Sequence, residues 1–292
     1  MKKFTNIINA LAASFILSNT VAYTESIVPN TLPENPNLVK GQATISSSLN
    51  NLTIEQESDR ISINWDTFNI GSESIVEFVQ PNNSSVALNR VNSSDPSYIY
   101  GDLKSNGQLI FLNPSGVVFK GGSKVDVGSM IATTLNMNDD HFFNKNYSFN
   151  SLQDTGSIVN EGSLRAKEGG TIALIANKIQ NKGVIDTPEG TTALIKGNDV
   201  TLTMMDNSLI NFEINSEELE GLVNKKNVIS VGKNSVLLSN TGKNAVLSAV
   251  VNNEGTIKAN SISKKGGRIF LSAKKGKIKN SGTMLANSSN FK

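Results

Sequence analysis

From Thr44 onward, apolar residues alternate with polar ones in short runs separated by Asn, Ser and Gly. Ile61-Ser62-Ile63 and Val76-Glu77-Phe78 are typical, and Leu109-Ile110-Phe111 is an unbroken apolar run of the same length. A two-residue period puts successive side chains on opposite faces of an extended backbone, so these runs predict strands of modest length. A sustained helical period is rare. Glu217-Glu218-Leu219-Glu220-Gly221-Leu222-Val223 comes nearest and predicts at most a short helix or turn on an excursion. The lead from Pro29 to Pro36 predicts no helix.

The second half repeats itself. An apolar-x-Asn-x-Gly-x-apolar pattern occurs at Ile158–Leu164, Ile179–Ile185, Val251–Ile257 and Ile278–Met284, the first pair 21 residues apart and the last pair 27. A second element recurs downstream as Gly169-Gly170-Thr171-Ile172-Ala173-Leu174, Glu189-Gly190-Thr191-Thr192-Ala193-Leu194 and Gly266-Gly267-Arg268-Ile269-Phe270-Leu271. Strand-like repeats with periods in the twenties predict one solenoid coil per repeat, with insertions at the corners where the spacing varies. The flanking Ile, Leu and Val are expected to point inward and stack on their equivalents, and Asn-x-Gly to supply left-handed backbone at a bend. The Leu-x-x-Leu-x-Leu signature of a leucine-rich solenoid is absent, and a β-sandwich would not need the repeated motif.

Composition agrees with stacked strands: 38% of residues are hydrophobic but only 6% aromatic. Lys2-Lys3, the mostly apolar run Ile7–Leu17 and the small residues of Thr20-Val21-Ala22 predict a secretory signal over residues 1–22, too short and too interrupted at Asn9 to span a bilayer. Cysteine is absent, which excludes a disulfide framework and thiolate metal sites and suits a chain threaded unfolded through a pore.

Charge is unevenly spread. Residues 24–160 hold 7 basic and 14 acidic groups, a net −7, whereas 221–292 hold 13 and 1, a net +12. The basic tail includes Lys264, Lys265, Arg268, Lys274, Lys275, Lys277 and Lys279. Attraction to polyanions is one reading. A solvated face that discourages edge-to-edge pairing is the better one, because no aromatic residues interleave the lysines as a nucleic-acid platform requires, so no nucleic-acid partner is expected.

Catalytic patterns are missing. The single histidine, His141 in Asp139-Asp140-His141-Phe142-Phe143, has no second His or Cys with which to form a metal site and reads as an exposed loop residue. No Gly-x-Ser-x-Gly elbow, phosphate loop or dinucleotide fingerprint is present, and no cofactor is expected. Glu55 and Glu57 share a strand face, but glycosidic chemistry needs two carboxylates across a cleft.

The densest patterning lies between Asn35-Pro36-Asn37-Leu38 and Asn113-Pro114-Ser115-Gly116-Val117-Val118-Phe119. With Ile63–Gly71, Ser85–Val91, Ile99–Leu103 and Asn106–Leu112 between them, these motifs resemble the secretion domain of the filamentous haemagglutinin family, the exported partners of two-partner secretion systems. The resemblance implies an all-β fold: a right-handed parallel β-helix with an N-terminal β cap and short extra-helical strands. It also implies recognition by periplasmic domains of an Omp85-superfamily outer-membrane transporter. Asn35, Pro36, Asn37 and Leu38 match the family's first motif without change. Asn113, Pro114, Ser115, Gly116 and Val117 match its second, with Ser115 where the family has Asn and Val117 where it has Ile.

The expected organisation is a signal at 1–22, a secretion domain over 23–150 holding the cap and first coils, and continuing coils with Asn-x-Gly repeats over 151–292. The chain stops at Lys292 after a repeat that another coil would normally follow, so a fragment, a truncated product or a small stand-alone exoprotein are all open. The expected product is a non-enzymatic protein, secreted or at the surface of a Gram-negative bacterium after crossing the periplasm. By family analogy it is an adhesin for host-cell or bacterial surface glycans or proteins. The stem of a contact-dependent toxin and a polysaccharide-acting enzyme are the alternatives.

Overall fold

The computed structural model describes residues 27–151 and 155–205, together with Ser208–Ile214, Val236–Asn240, Ala249–Asn253, Thr256–Lys258, Arg268–Ala273 and residues 277–285. The predicted signal, the 217–223 segment and Lys264, Lys265, Lys274 and Lys275 lie outside the described residues.

Three sheets form the faces of a parallel β-helix of about seven turns. In one coil, Gln108–Leu112 lies on the first face, Gly116–Phe119 on the second and Lys124–Val127 on the third, and Ser129–Thr133 then returns to the first. Each strand pairs in parallel with its counterpart one coil on; Gln108–Leu112 and Ser129–Thr133, for instance, run in register from Gln108↔Ser129 to Leu112↔Thr133. The coils pass residues 150 and 151 without a break in pairing, since Gly116–Phe119 pairs with Ser157–Asn160.

The repeat read from the sequence is the coil register. Ile158, Ile179, Val251 and Ile278 are successive partners on the second face, as are Asn160, Asn181, Asn253 and Asn280. Thr171, Thr191 and Arg268 align on the first. Inside, Val76, Leu103, Val125, Leu164, Ile185 and Ile257 make one column of the core, each buried.

The glycines of that repeat differ from expectation. Gly162 and Gly183 are not among the residues with positive φ. What requires glycine is the approach of coils about 4.8 Å apart: a Cβ on Gly183 would collide with the Gly162 carbonyl oxygen, and one on Gly162 with Ser123 Oγ and the Lys120 carbonyl oxygen. The asparagines do the bonding. Asn160 and Asn181 are fully buried, Asn160 Nδ2 donates to Asn181 Oδ1 at 2.7 Å, and Asn160 Oδ1 accepts from the Gly162 N–H at 3.1 Å.

An antiparallel cap closes the N-terminal end. Asn37–Lys40 pairs antiparallel with Arg60–Trp65 on the first face, and Ala43–Ser48 forms a hairpin with Asn51–Gln56 on the third. Leu32, Leu38, Ala43 and Ile45 pack against the main core from this end. Parallel edges that would otherwise be open are thereby covered.

A second core lies outside the helix. Val86, Leu88, Ile110, Leu112, Ile131, Ile175 and Ile195 form it on the outer side of the first face, with Phe142, Tyr147, Phe149, Val200 and Leu202 packed over them. The cover comprises Asp139–Phe143 and an antiparallel sheet of Tyr147–Asn150, Asp199–Met205 and Ser208–Ile214. Leu109-Ile110-Phe111-Leu112 is therefore buried on both sides, as a continuous apolar run permits. Asp139–Phe143 corrects the loop expected around His141: it is a short helix, capped by Asn138, whose side-chain oxygen accepts from the N–H groups of Asp140 and His141 at 2.7 and 3.3 Å.

Candidate recognition surface

Asn35, Pro36 and Asn37 are exposed on the cap, and Leu38 alone turns partly into the core. Asn35 adopts φ +50°, a left-handed conformation that Asn tolerates better than most residues. Its Nδ2 donates to Asp66 Oδ2 at 2.8 Å. The preceding residue locks the same corner from the backbone: the Glu34 N–H donates to the Thr67 carbonyl at 3.0 Å and the Asp66 N–H to the Glu34 carbonyl at 3.2 Å. Asn37 and Leu38 then stand opposite Asn64 and Ile63. Upstream, the Pro29 carbonyl accepts from the Glu73 N–H at 2.8 Å and the Thr31 carbonyl from the Gly71 N–H at 2.9 Å, so the lead is tied to the first coil.

The second motif is interior by comparison. Asn113 is fully buried; its Nδ2 donates to Ser97 Oγ at 2.9 Å and to the Asp95 carbonyl at 3.2 Å, while its Oδ1 accepts from the Ser115 N–H at 2.9 Å. The last bond is the side-chain-to-backbone closure by which Asn makes a turn. Ser115, the departure from the family pattern, donates its hydroxyl to the Ser93 carbonyl at 3.1 Å and so ties this corner to the preceding coil. Gly116 sits at φ +125°, and a Cβ there would come within 2.8 Å of the Ser157 carbonyl oxygen. Val117 is buried in the main core.

The coil register brings the motifs onto one edge. Asn35 lies beside Asp66, just past the end of Arg60–Trp65, and Asn113 follows the end of Gln108–Leu112, two strands further along the same face. Two coil spacings are about 10 Å. Between them the edge presents exposed Asn92, Ser94 and Asp95. Sequence reading marked the two ends of this edge and missed the middle, because Asn92–Asp95 has no distinctive spacing of its own.

The catalytic candidates are not brought together. His141 is exposed on its helix, and Glu55 and Glu57 are exposed at the cap end of the third face. Among the described residues no group of three His, Asp or Glu side chains could hold a metal ion. No described helix is long and apolar enough to cross a membrane.

A parallel β-helix with an antiparallel cap, an outer cover on one face and a turn-rich edge carrying both motifs defines a capped β-solenoid. The chain is a member of the TPS secretion domain family, whose model matches residues 30–285. It is similar to the secretion domain of HMW1 from Haemophilus influenzae, whose crystal structure superposes with a TM-score of 0.67 at 28% identity over 87% of this chain and 66% of that one. It is also 31% identical over 251 residues to a heme/hemopexin-binding protein of H. influenzae strain Rd, covering 83% of this chain and 27% of that protein. A second H. influenzae protein of the same name is 29% identical over 263 residues. The chain thus spans about a quarter of the curated relatives it matches, at 27% and 28% of their lengths. Membership makes this the secretion domain of a two-partner exoprotein, a secreted protein of a Gram-negative bacterium with a cognate outer-membrane transporter.

Proposed function

We propose that the edge running from Asn35 to Asn113 is read by periplasmic domains of an Omp85-superfamily transporter, and that its two motifs do different work. Asn35, Pro36 and Asn37 make the contact; Asn113, Pro114, Ser115, Gly116 and Val117 hold the corner in shape. The observation that carries this reading is the contrast in burial: the first motif is exposed and its one side-chain bond, from Asn35 to Asp66, lies at the surface, whereas Asn113 is buried and spends its polar atoms on Ser97, Asp95 and Ser115. The recognition determinants fall within residues 23–150, after removal of a signal over 1–22, and residues 151–292 extend the scaffold.

Secretion into the medium, with and without the cognate transporter, tests the reading. Asn35→Gly keeps the left-handed backbone and deletes the side chain, so stability should change by less than about 0.5 kcal/mol while secretion falls sharply. Asn113→Ala strands buried partners and should cost about 2–4 kcal/mol by chemical denaturation, with secretion falling in proportion to the unfolded fraction. Full secretion of a folded Asn35→Gly protein would remove the first motif from the contact, and equal export without the transporter would sink the whole proposal.

For the exported product, the names of the two curated relatives favour capture of haem or its carrier protein over adhesion to surface glycans or proteins. Retention of haem-loaded hemopexin by the exported protein, compared with adherence to cultured cells, separates the two. The product is non-enzymatic on this reading, in keeping with relatives named for binding.

A further inference from the structure

Beside the cap, on the opposite end of the first face from the motif edge, lies a cleft of about 570 Å³. Its walls come from three places: the end of the cap strand, the corners of the first coils, and the outer cover, which contributes Phe143, Lys145 and Tyr147. The size falls within the range of pockets that bury small ligands, about 300–1,000 Å³.

The lining sets three cations against one acid, with Ser58, Ser84, Gln108 and Tyr147 as its neutral polar groups. Lys40, Arg60 and Lys145 all face the cleft, and none has a carboxylate within 4.0 Å among the described residues. Asp59 is the only acid in the wall, and it already accepts from Asn82 Nδ2 at 3.3 Å. Arg60 is fixed: its guanidinium donates to the Phe142 carbonyl at 2.8 Å and to the Tyr147 hydroxyl at 2.6 Å, two bonds that leave further N–H groups of its five. Tyr147 accepts there and keeps its own O–H to donate. Ser58 Oγ likewise accepts from the Gln42 N–H at 3.0 Å and retains its O–H. Lys40 is drawn in by Phe143, its Nζ 4.3 Å from the ring centroid.

We propose that this cleft binds an acidic saccharide, its carboxylate or sulfate lodged between Lys40, Arg60 and Lys145 and its hydroxyl oxygens accepting from Ser58 and Tyr147. Paired hydroxyl donors beside a cation cluster suit a ring that carries oxygens on several carbons as well as a charge. An acidic peptide would instead be held chiefly by main-chain pairing along a strand edge. The proposal is independent of the transporter edge, which lies at the other end of these strands.

Calorimetric titration of the folded chain tests it with four probes: a sulfated uronic-acid disaccharide, neutral N-acetyllactosamine, inorganic sulfate and pentaglutamate. The disaccharide should bind saturably, weaken as salt is raised, and raise the melting temperature, while the other three bind at least about tenfold more weakly. The Lys40→Gln/Lys145→Asn double variant should lose at least about tenfold in affinity for the disaccharide with an unchanged circular-dichroism spectrum; Asn suits the +60° φ of Lys145. Arg60 is left intact because it also anchors the cover. Sulfate binding as tightly as the disaccharide would reduce the cleft to a simple anion site. Pentaglutamate binding as tightly would make it a peptide surface, and no binding of the disaccharide would end the proposal.

Discussion

Gly169 and Gly183 show how differently one residue type can be used within a single coil stack. Gly169 sits at φ +75° with open space where a Cβ would go, so its need is conformational. Gly183 lacks a positive φ, and its need is room against the Gly162 carbonyl. Gly169→Ala should therefore cost only about 1–2 kcal/mol, the ordinary expense of a left-handed non-glycine residue. Gly183→Ala cannot be relieved by a rotamer change and forces two backbones apart, so a loss of about 3 kcal/mol or more is expected in urea unfolding. Near-equal losses would mean that spacing between these coils is not what fixes the glycine. The sequence marked Gly183 through its repeat but suggested the wrong cause, because a repeat gives position without giving φ.

At the level of strands, the register of the third face orders charge as well as core. The outward column reads Glu77, Lys104, Asp126, Arg165 and Asp186, each the direct partner of the next, so sign alternates at every coil. Adjacent opposite charges on paired strands each contribute a few tenths of a kcal/mol, and like charges oppose pairing by similar amounts. A strand displaced by one coil would meet its own sign, so the column selects register more than it adds stability. Lys104→Glu places three acidic groups in succession and should destabilise by about 0.5–1.5 kcal/mol at low salt, a loss that shrinks as sodium chloride screens it. Denaturation midpoints at low and high ionic strength check this; a salt-independent loss would trace the effect to packing instead. None of this column was legible beforehand, since its members share no residue type and lie beside the apolar positions of the repeat rather than within its pattern. The inner column was legible only in its later half, where Leu164, Ile185 and Ile257 close a fixed seven-residue motif that Val76, Leu103 and Val125 lack. The outer cover was hidden for a related reason: Leu109–Leu112 announces burial on both faces, but Phe142, Tyr147 and Phe149 lie far downstream in chain order.

In the whole molecule, each coil touches chiefly its neighbours, so stability is carried from coil to coil and depends on how the stack begins. The recognition edge inherits this dependence. The family resemblance marked both motifs in the sequence, yet their alignment exists only because Arg60–Trp65, Val86–Val91 and Gln108–Leu112 stack in order. The cap supplies that beginning by giving Arg60–Trp65 and Asn51–Gln56 antiparallel partners and by laying Leu38, Ala43 and Ile45 over the core. A variant lacking residues 27–48 would present two open strand edges next to Ile54, Ile61 and Ile63, all fully buried in the intact chain. Open edges recruit other chains, so this variant should form concentration-dependent oligomers by light scattering. Hydrogen exchange should quicken in Asn51–Gln56, Arg60–Trp65 and Ile75–Val79, while Ser129–Thr133, four positions from the cap strand on the first face, keeps its protection. Loss of protection along the entire stack would show a helix that folds as one cooperative unit. A monomer with native protection at Arg60–Trp65 would show that the first coil closes itself, leaving the cap to serve recognition alone.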